Sequence, residues 1–267
     1  MKLTWIDLNS WIFELAGKTI LVDPWLVDPL VFYGQPWLFT AHHTTPLTIT
    51  PETLPPIDLI LLSQGVDDHC HRPTLEKLDR AIPVVASAAA AKVVKSLGYQ
   101  QVTAIAPWQD TVFADNLQIT GVLGAEIQPG QVENGYLLKD LTRGETLYYE
   151  PHFSPLKDLA KLGQVDVAIA PVTAQIFPLL GQVIMGATEA LQLIQTLQPR
   201  YFLPTTRGDV RATGILQMLI KSVGSEAEFR DRLIASGSPT QLLIPQPGET
   251  FDIAPSSKLG EVLSAEC

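Results

Sequence analysis

The segment Leu61 to Leu75, L-L-S-Q-G-V-D-D-H-C-H-R-P-T-L, constrains this chain most, because it specifies a strand, a loop and a helix start in quick succession. The apolar run Ile57 to Leu62 has the length of a buried strand and is too short for a buried helix. It breaks at Ser63 into a polar stretch carrying Asp67, Asp68, His69 and His71. Pro73 then suits the first turn of a helix, where its missing N–H costs nothing. Carboxylates and imidazoles concentrated at such a corner have two uses. They can ligate a metal, or they can cap the helix by accepting its orphan amide protons.

The rest of the pattern surrounds this corner with strands. Leu3 to Leu8, Trp11 to Leu15 and Thr19 to Val22 read as a meander, with Ala16-Gly17-Lys18 as the turn between the last two. The stretch from Trp25 to Pro51 has no clear period but carries Trp25, Phe32, Tyr33, Trp37 and Phe39, with His42 and His43. That much apolar area implies cover over the site or a contact with a second copy of the chain. After Ile57 to Leu62 come helices near Pro73 to Leu78 and Ala88 to Leu97, around a strand at Pro83 to Ala86. A second block of strands follows: Gln101 to Ile105, Thr111 to Phe113, Leu117 to Val122, Gly135 to Leu138 and Thr146 to Tyr149. Helices near Pro155 to Lys161, Ala187 to Leu197, Gly214 to Val223 and Glu226 to Ile234 then alternate with strands Val165 to Ala170, Tyr201 to Leu203 and Gln241 to Ile244. Strands with interleaved helices in both halves predict two sheets packed face to face with helices outside, within one domain over residues 1–267.

Composition narrows the partners. A net charge of -10, from 28 acidic against 18 basic residues with no basic cluster, repels a nucleic-acid backbone. No apolar run approaches the roughly 18 residues a membrane span needs, and the start of the chain lacks a signal-peptide core. The two cysteines, Cys70 and Cys267, make no disulfide framework. The expectation is a soluble, cytoplasmic protein that takes a small-molecule ligand and binds neither nucleic acid nor membrane.

The corner S-Q-G-V-D-D-H resembles the S-H-x-H-x-D-H loop of the metallo-β-lactamase superfamily, and the likeness runs through L-V-D-P-W (Leu21 to Trp25), E-N-G-Y (Glu133 to Tyr136), L-Y-Y-E-P-H (Leu147 to His152) and L-L-I-P-Q-P-G-E (Leu242 to Glu249). It looks most like the branch containing L-ascorbate-6-phosphate lactonase, and within it a divergent subgroup. The resemblance implies an α/β chain folded as a four-layer αββα sandwich of two mixed sheets, with a metal site built from five histidines and two aspartates.

Several of those positions differ here. Gln64 and Val66 stand where the resemblance places the two leading histidines, T-G-V-L-G-A (Thr120 to Ala125) supplies no imidazole, and Thr205 or Thr206 takes the place of the last histidine. Pro151-His152 stands at the bridging aspartate. The resemblance therefore implies a degenerate site of Asp68, His69 and His152, holding one divalent ion, Zn, Fe or Mn, with Asp68 and His69 as catalytic residues. Asp67, His71 and Glu150 are candidates to orient the imidazoles, and Arg207 to hold an anionic ligand. Asp23 reads at least as well as an ordinary turn residue as one near the site, Glu133-Asn134-Gly135 has turn composition before any ligand role, and Gln175 reads equally as a pocket residue and as a loop residue. Glycines Gly124, Gly130 and Gly135 form no phosphate-binding fingerprint, and Ser63 lacks the context of a nucleophile elbow. Three readings stay open: a single-metal hydrolase acting on a small ester or lactone, a metal-free relative that binds a metabolite or protein, and metal-dependent redox chemistry.

Overall fold

Which way each side chain points decides the architecture. In Lys2–Asp7, Leu3 and Trp5 face one side while Ile6 faces the other. Trp11, Phe13 and Leu15 oppose Ile12 in Ser10–Leu15, and Leu59 and Leu61 oppose Ile60 and Leu62 in Leu59–Leu62. These strands are apolar on both faces because both are covered, as the period of two requires of a sheet between layers. The computed structural model describes residues 1–128, 131–178 and 181–255, so Gly130 and Cys267 lie outside the described residues.

The first sheet runs, edge to edge, Thr250–Asp252, Lys2–Asp7, Ser10–Leu15, Lys18–Val22, Leu59–Leu62, Val84–Ala86 and Val102–Ala104. The second runs Gln241–Leu242, Tyr201–Pro204, Val167–Ala170, Thr146–Tyr149, Gln131–Asp140, Leu117–Gln128 and Asp110–Phe113. Each is mixed: an antiparallel meander continued by parallel strands. Between the sheets lies one apolar layer, in which Trp5, Trp11, Phe13 and Leu61 meet Ile119, Leu138, Tyr149 and Ile169. Outside the first sheet, helices Arg72–Lys77 and Ala88–Ser96 bury Leu75, Ala90 and Val94. Ala187–Leu197 and Glu226–Ala235 bury Leu193, Leu197 and Phe229 on the outer face of the second. This is the expected αββα sandwich.

Three local expectations need correcting. Over Pro155 to Lys161 the only helical element is a short 3-10 turn, Leu159–Leu162, because Leu156 and Asp158 adopt φ of 58° and 70°, which no right-handed helix tolerates. Over Gly214 to Val223 the helix is only Ile215–Leu219. Lys221–Val223 forms instead an antiparallel strand on Ala174–Phe177, a pairing local periodicity does not reveal. The aperiodic stretch contains Leu30–Val31 and Thr40–His43, which join Val210–Thr213 in a small sheet. Trp25 is buried and Phe32 stacks on Phe39 at 4.6 Å, whereas Tyr33 and Trp37 are 60% and 62% exposed, so this chain alone does not cover every ring.

The parallel strands Lys18–Val22, Leu59–Leu62 and Val84–Ala86 leave the sheet together, as do Thr146–Tyr149, Val167–Ala170 and Tyr201–Pro204. Their carboxyl ends carry Asp23, Ser63 to His69, Glu150 to His152 and Thr205 to Arg207. Ligands in α/β sheets collect at this end, where backbone leaves the ladder and side chains converge.

Candidate metal centre

Asp68 and His69 come from the loop after one sheet's strand, and His152 from the loop after the other's. His69 Nε2 and His152 Nε2 lie 2.9 Å apart, and Asp68 Oδ2 lies 3.3 Å from the first and 3.4 Å from the second. The two rings meet edge to face, at 84°. Among the described residues this is the one group of three or more His, Cys, Asp or Glu side chains whose ligand atoms converge.

The spacing can be tested against coordination. With bonds of about 2.0–2.1 Å, neighbouring ligand atoms stand about 3.4 Å apart around a tetrahedral ion and about 2.9 Å apart around an octahedral one. The three edges of 2.9, 3.3 and 3.4 Å fall in that range. Asp68 Oδ1 is moreover a buried acceptor with no hydrogen-bond partner, which a native interior rarely leaves. Two imidazoles and a carboxylate with one unpartnered oxygen suit a divalent cation.

His69 is fixed from behind. Its Nδ1–H donates to Asp23 Oδ2 at 2.8 Å. That carboxylate also accepts from the Ser63 amide (2.8 Å), the Ser63 hydroxyl (2.5 Å) and the Tyr149 hydroxyl (2.8 Å). Both Asp23 and His69 are 0% exposed. Asp23 sits at φ 41°, an uncommon conformation held by those four donors. Asn9 Nδ2 lies 3.5 Å from His69 Nε2, and its Oδ1 accepts from Thr206 Oγ1 at 2.9 Å. Asn9, Asp23, Ser63 and Tyr149 complete the site; Asp23, Ser63 and Tyr149 lie in segments that carried a sequence signal, but the role of each did not show there. Asn9 and Tyr149 depend on contacts spanning 60 residues or more, and Ser63 reaches Asp23 across 40.

The other expected residues turn elsewhere. Asp67 Oδ2 accepts the Tyr33 amide at 2.7 Å, tying the aromatic stretch to the rim of the site. The His71 ring faces Thr74 Oγ1 and the Pro29 carbonyl, at the start of helix Arg72–Lys77. Arg207 forms an ion pair with Glu226, donates to the Pro245 carbonyl and covers the Trp5 ring, so its charge is committed. Glu150 Oε1 accepts the His152 amide at 3.1 Å. Gln175 and Asn134 serve strand pairing, Asn134 through the Ser63 carbonyl. His43 packs on Trp25 and pairs with Asp28 at 2.7 Å.

Charges in the site are strongly coupled. Burial alone would raise Asp68, but His69 and His152 hold it well below the usual carboxylate range. Burial opposes charge on His69, yet Asp68 and Asp23 raise it to about 10. Burial and the neighbouring His69 lower His152. Burial pushes Glu150 up from 4.5 to about 7, with the His152 amide partly offsetting it. Burial lowers His71 to about 4.

Glu150 makes a testable contribution to stability. Its folded pKa is raised, so the folded state holds the proton more tightly. The stabilisation is present in full below pH 4.5 and is lost as pH rises through about 7, amounting to about 3 kcal/mol. His71 runs the other way, its contribution being lost as pH falls from 6.5 toward 4. A difference measurement separates them. In chelator-treated protein, the unfolding free energy of Glu150→Gln minus that of wild type should climb between pH 5 and 8. Parallel profiles for the two proteins would contradict it.

A family model described as "Beta-lactamase superfamily domain" matches residues 2–206. A UPF0173 metal-dependent hydrolase from Staphylothermus marinus is 21% identical over 242 residues, covering 88% of this chain and 90% of that protein. The crystal structure of isothiocyanate hydrolase from Delia radicum gut bacteria superposes with a TM-score of 0.74 at 18% identity, covering 96% of this chain and 100% of that one. A metallo hydrolase from the archaeon Ignicoccus hospitalis gives a TM-score of 0.66 at 18% identity, covering 95% and 99%.

Proposed function

We propose that this protein, which belongs to the beta-lactamase superfamily domain family, is a hydrolase working through one divalent metal ion held by Asp68, His69 and His152. The observation that carries the reading is the triangle of ligand atoms with edges of 2.9, 3.3 and 3.4 Å, whose carboxylate keeps its second oxygen buried and unpartnered. The names of the relatives support hydrolysis. Gln64 and Val66 in the same loop, with Thr205 and Thr206 opposite, favour one ion over two.

The chemistry such an ion supplies is Lewis-acid polarisation of an acyl oxygen and acidification of water. Asp23 keeps His69 in one tautomer and orientation. Asp68, held ionised by His69 and His152, supplies the carboxylate that balances the charge of such an ion. Arg207 being committed to Glu226, the substrate class that fits is a small uncharged ester or lactone rather than an anion.

Metal analysis of protein purified without added metal tests the reading, together with esters and lactones assayed before and after chelation. Expected are about one equivalent of Zn, Mn or Fe, loss of hydrolysis on chelation and its recovery with one of those ions. Metal-free protein whose melting temperature ignores both chelator and added ions would instead support the metabolite- or protein-binding relative.

A further inference from the structure

We propose that Gln64 is the positioning residue of His152: its amide oxygen accepts the Nδ1 proton and thereby turns the Nε2 lone pair toward Asp68 and His69. The inference rests on the reading of Asp68, His69 and His152 as the metal centre. A neutral imidazole carries one proton on two nitrogens, and the partner of one nitrogen decides what the other can do. For His69 that partner is the Asp23 carboxylate, which can only accept. For His152 it is the Gln64 side chain, 3.0 Å from Nδ1, whose two ends have the same shape and opposite hydrogen-bonding character.

The two orientations have different consequences. With the amide nitrogen toward the ring, Nδ1 accepts and Nε2 carries the proton. That proton would point into the space 2.9 Å from His69 Nε2 and 3.4 Å from Asp68 Oδ2, where a cation belongs. With the oxygen toward the ring, Nδ1–H has its acceptor and Nε2 is free to ligate. Gln64 is 1% exposed and cannot exchange this bond for water. The loop holds it there, since a Cβ on the adjacent Gly65 would stand 2.9 Å from the Ala89 Cβ.

The residue that replaces an imidazole in the resembling loop therefore supports the imidazole from the opposite sheet. It is not itself counted as a ligand.

Nitrogen NMR of the histidine rings in chelator-treated, ¹⁵N-histidine-labelled protein reads the tautomer directly, and zinc titration reads its consequence. In wild type, His152 is expected with its proton on Nδ1. Gln64→Glu can only accept, and should keep that tautomer and hold zinc affinity within about threefold of wild type. Gln64→Leu and Gln64→Met, which fill the space without an acceptor, should strip the Nδ1 proton of its partner, move the Nδ1 resonance and weaken zinc binding about 10- to 100-fold. A merely space-filling Gln64 would let Leu and Met pass and would not distinguish Glu, and that result overturns the proposal. So does an Nε2–H tautomer in folded wild-type protein. An Nδ1–H tautomer with no zinc binding would uphold the role of Gln64 and sink the metal hydrolase.

Discussion

Replacing His152 with alanine is expected to weaken zinc binding by more than about 100-fold while the chelator-treated protein unfolds within about 1 kcal/mol of wild type. The first figure follows from position: outer partners of a ligating histidine are each worth about 10- to 100-fold in affinity, and removing the ligand itself exceeds that. The second follows from packing. His152 follows a strand end, its side chain is 14% exposed, and its carbonyl can still accept the Met185 amide at 2.8 Å after truncation. His69→Ala should lose the metal equally but also lower stability, because it empties a fully buried position and leaves the Asp23 carboxylate facing three donors instead of four. Zinc titration and denaturant unfolding of both variants check this. Affinity for zinc retained in His152→Ala would place the ion elsewhere.

Asp23→Ala should be the most destabilising single change in the site, by about 3–5 kcal/mol, the range for removing one partner of a buried ionic pair. Four donors converge on this carboxylate from Ser63, His69 and Tyr149, so its loss orphans buried groups contributed by both sheets. Asp23→Asn keeps the volume and offers one oxygen and one NH₂. It should fold, and it should cost about 10- to 100-fold in metal affinity because His69 loses its obligate acceptor. Denaturant unfolding of the chelated proteins separates the two effects. A near-neutral Asp23→Ala would mean that the His69 and Tyr149 bonds contribute nothing net.

The contrast between Asp23 and Asp68 shows how far the site could be read from residue order. Asp68 and His69 stand in a loop whose neighbours announce it: an apolar strand before, a helix-starting proline after. Asp23 also follows a strand, but Asp-Pro is common turn chemistry, and its partners are 40, 46 and 126 residues away. The same distinction divides the fold. Ala187–Leu197 was legible because its apolar face repeats at the helical period, and the meander Lys2 to Val22 because its turn, Ala16-Gly17 at φ of 54° and 69°, is local. Lys221–Val223 reads as helix by propensity and becomes a strand only because Ala174–Phe177 offers it a partner. Arg207 read as a holder of an anionic ligand because Glu226 and Trp5 approach it only in the folded chain.

The layer between the sheets, anchored by Trp11, Leu61, Leu138 and Ile169, also acts as the ruler of the site. Because Asp68 and His69 ride on one sheet and His152 on the other, sheet separation sets the distance between the two imidazole nitrogens. Binding constellations tolerate errors of only about 0.5 Å. Substitutions deep in that layer, touching none of the ligands, would therefore detune the centre as surely as changes in its loops. Affinity for the ion then becomes a remote gauge of how well the two halves are seated.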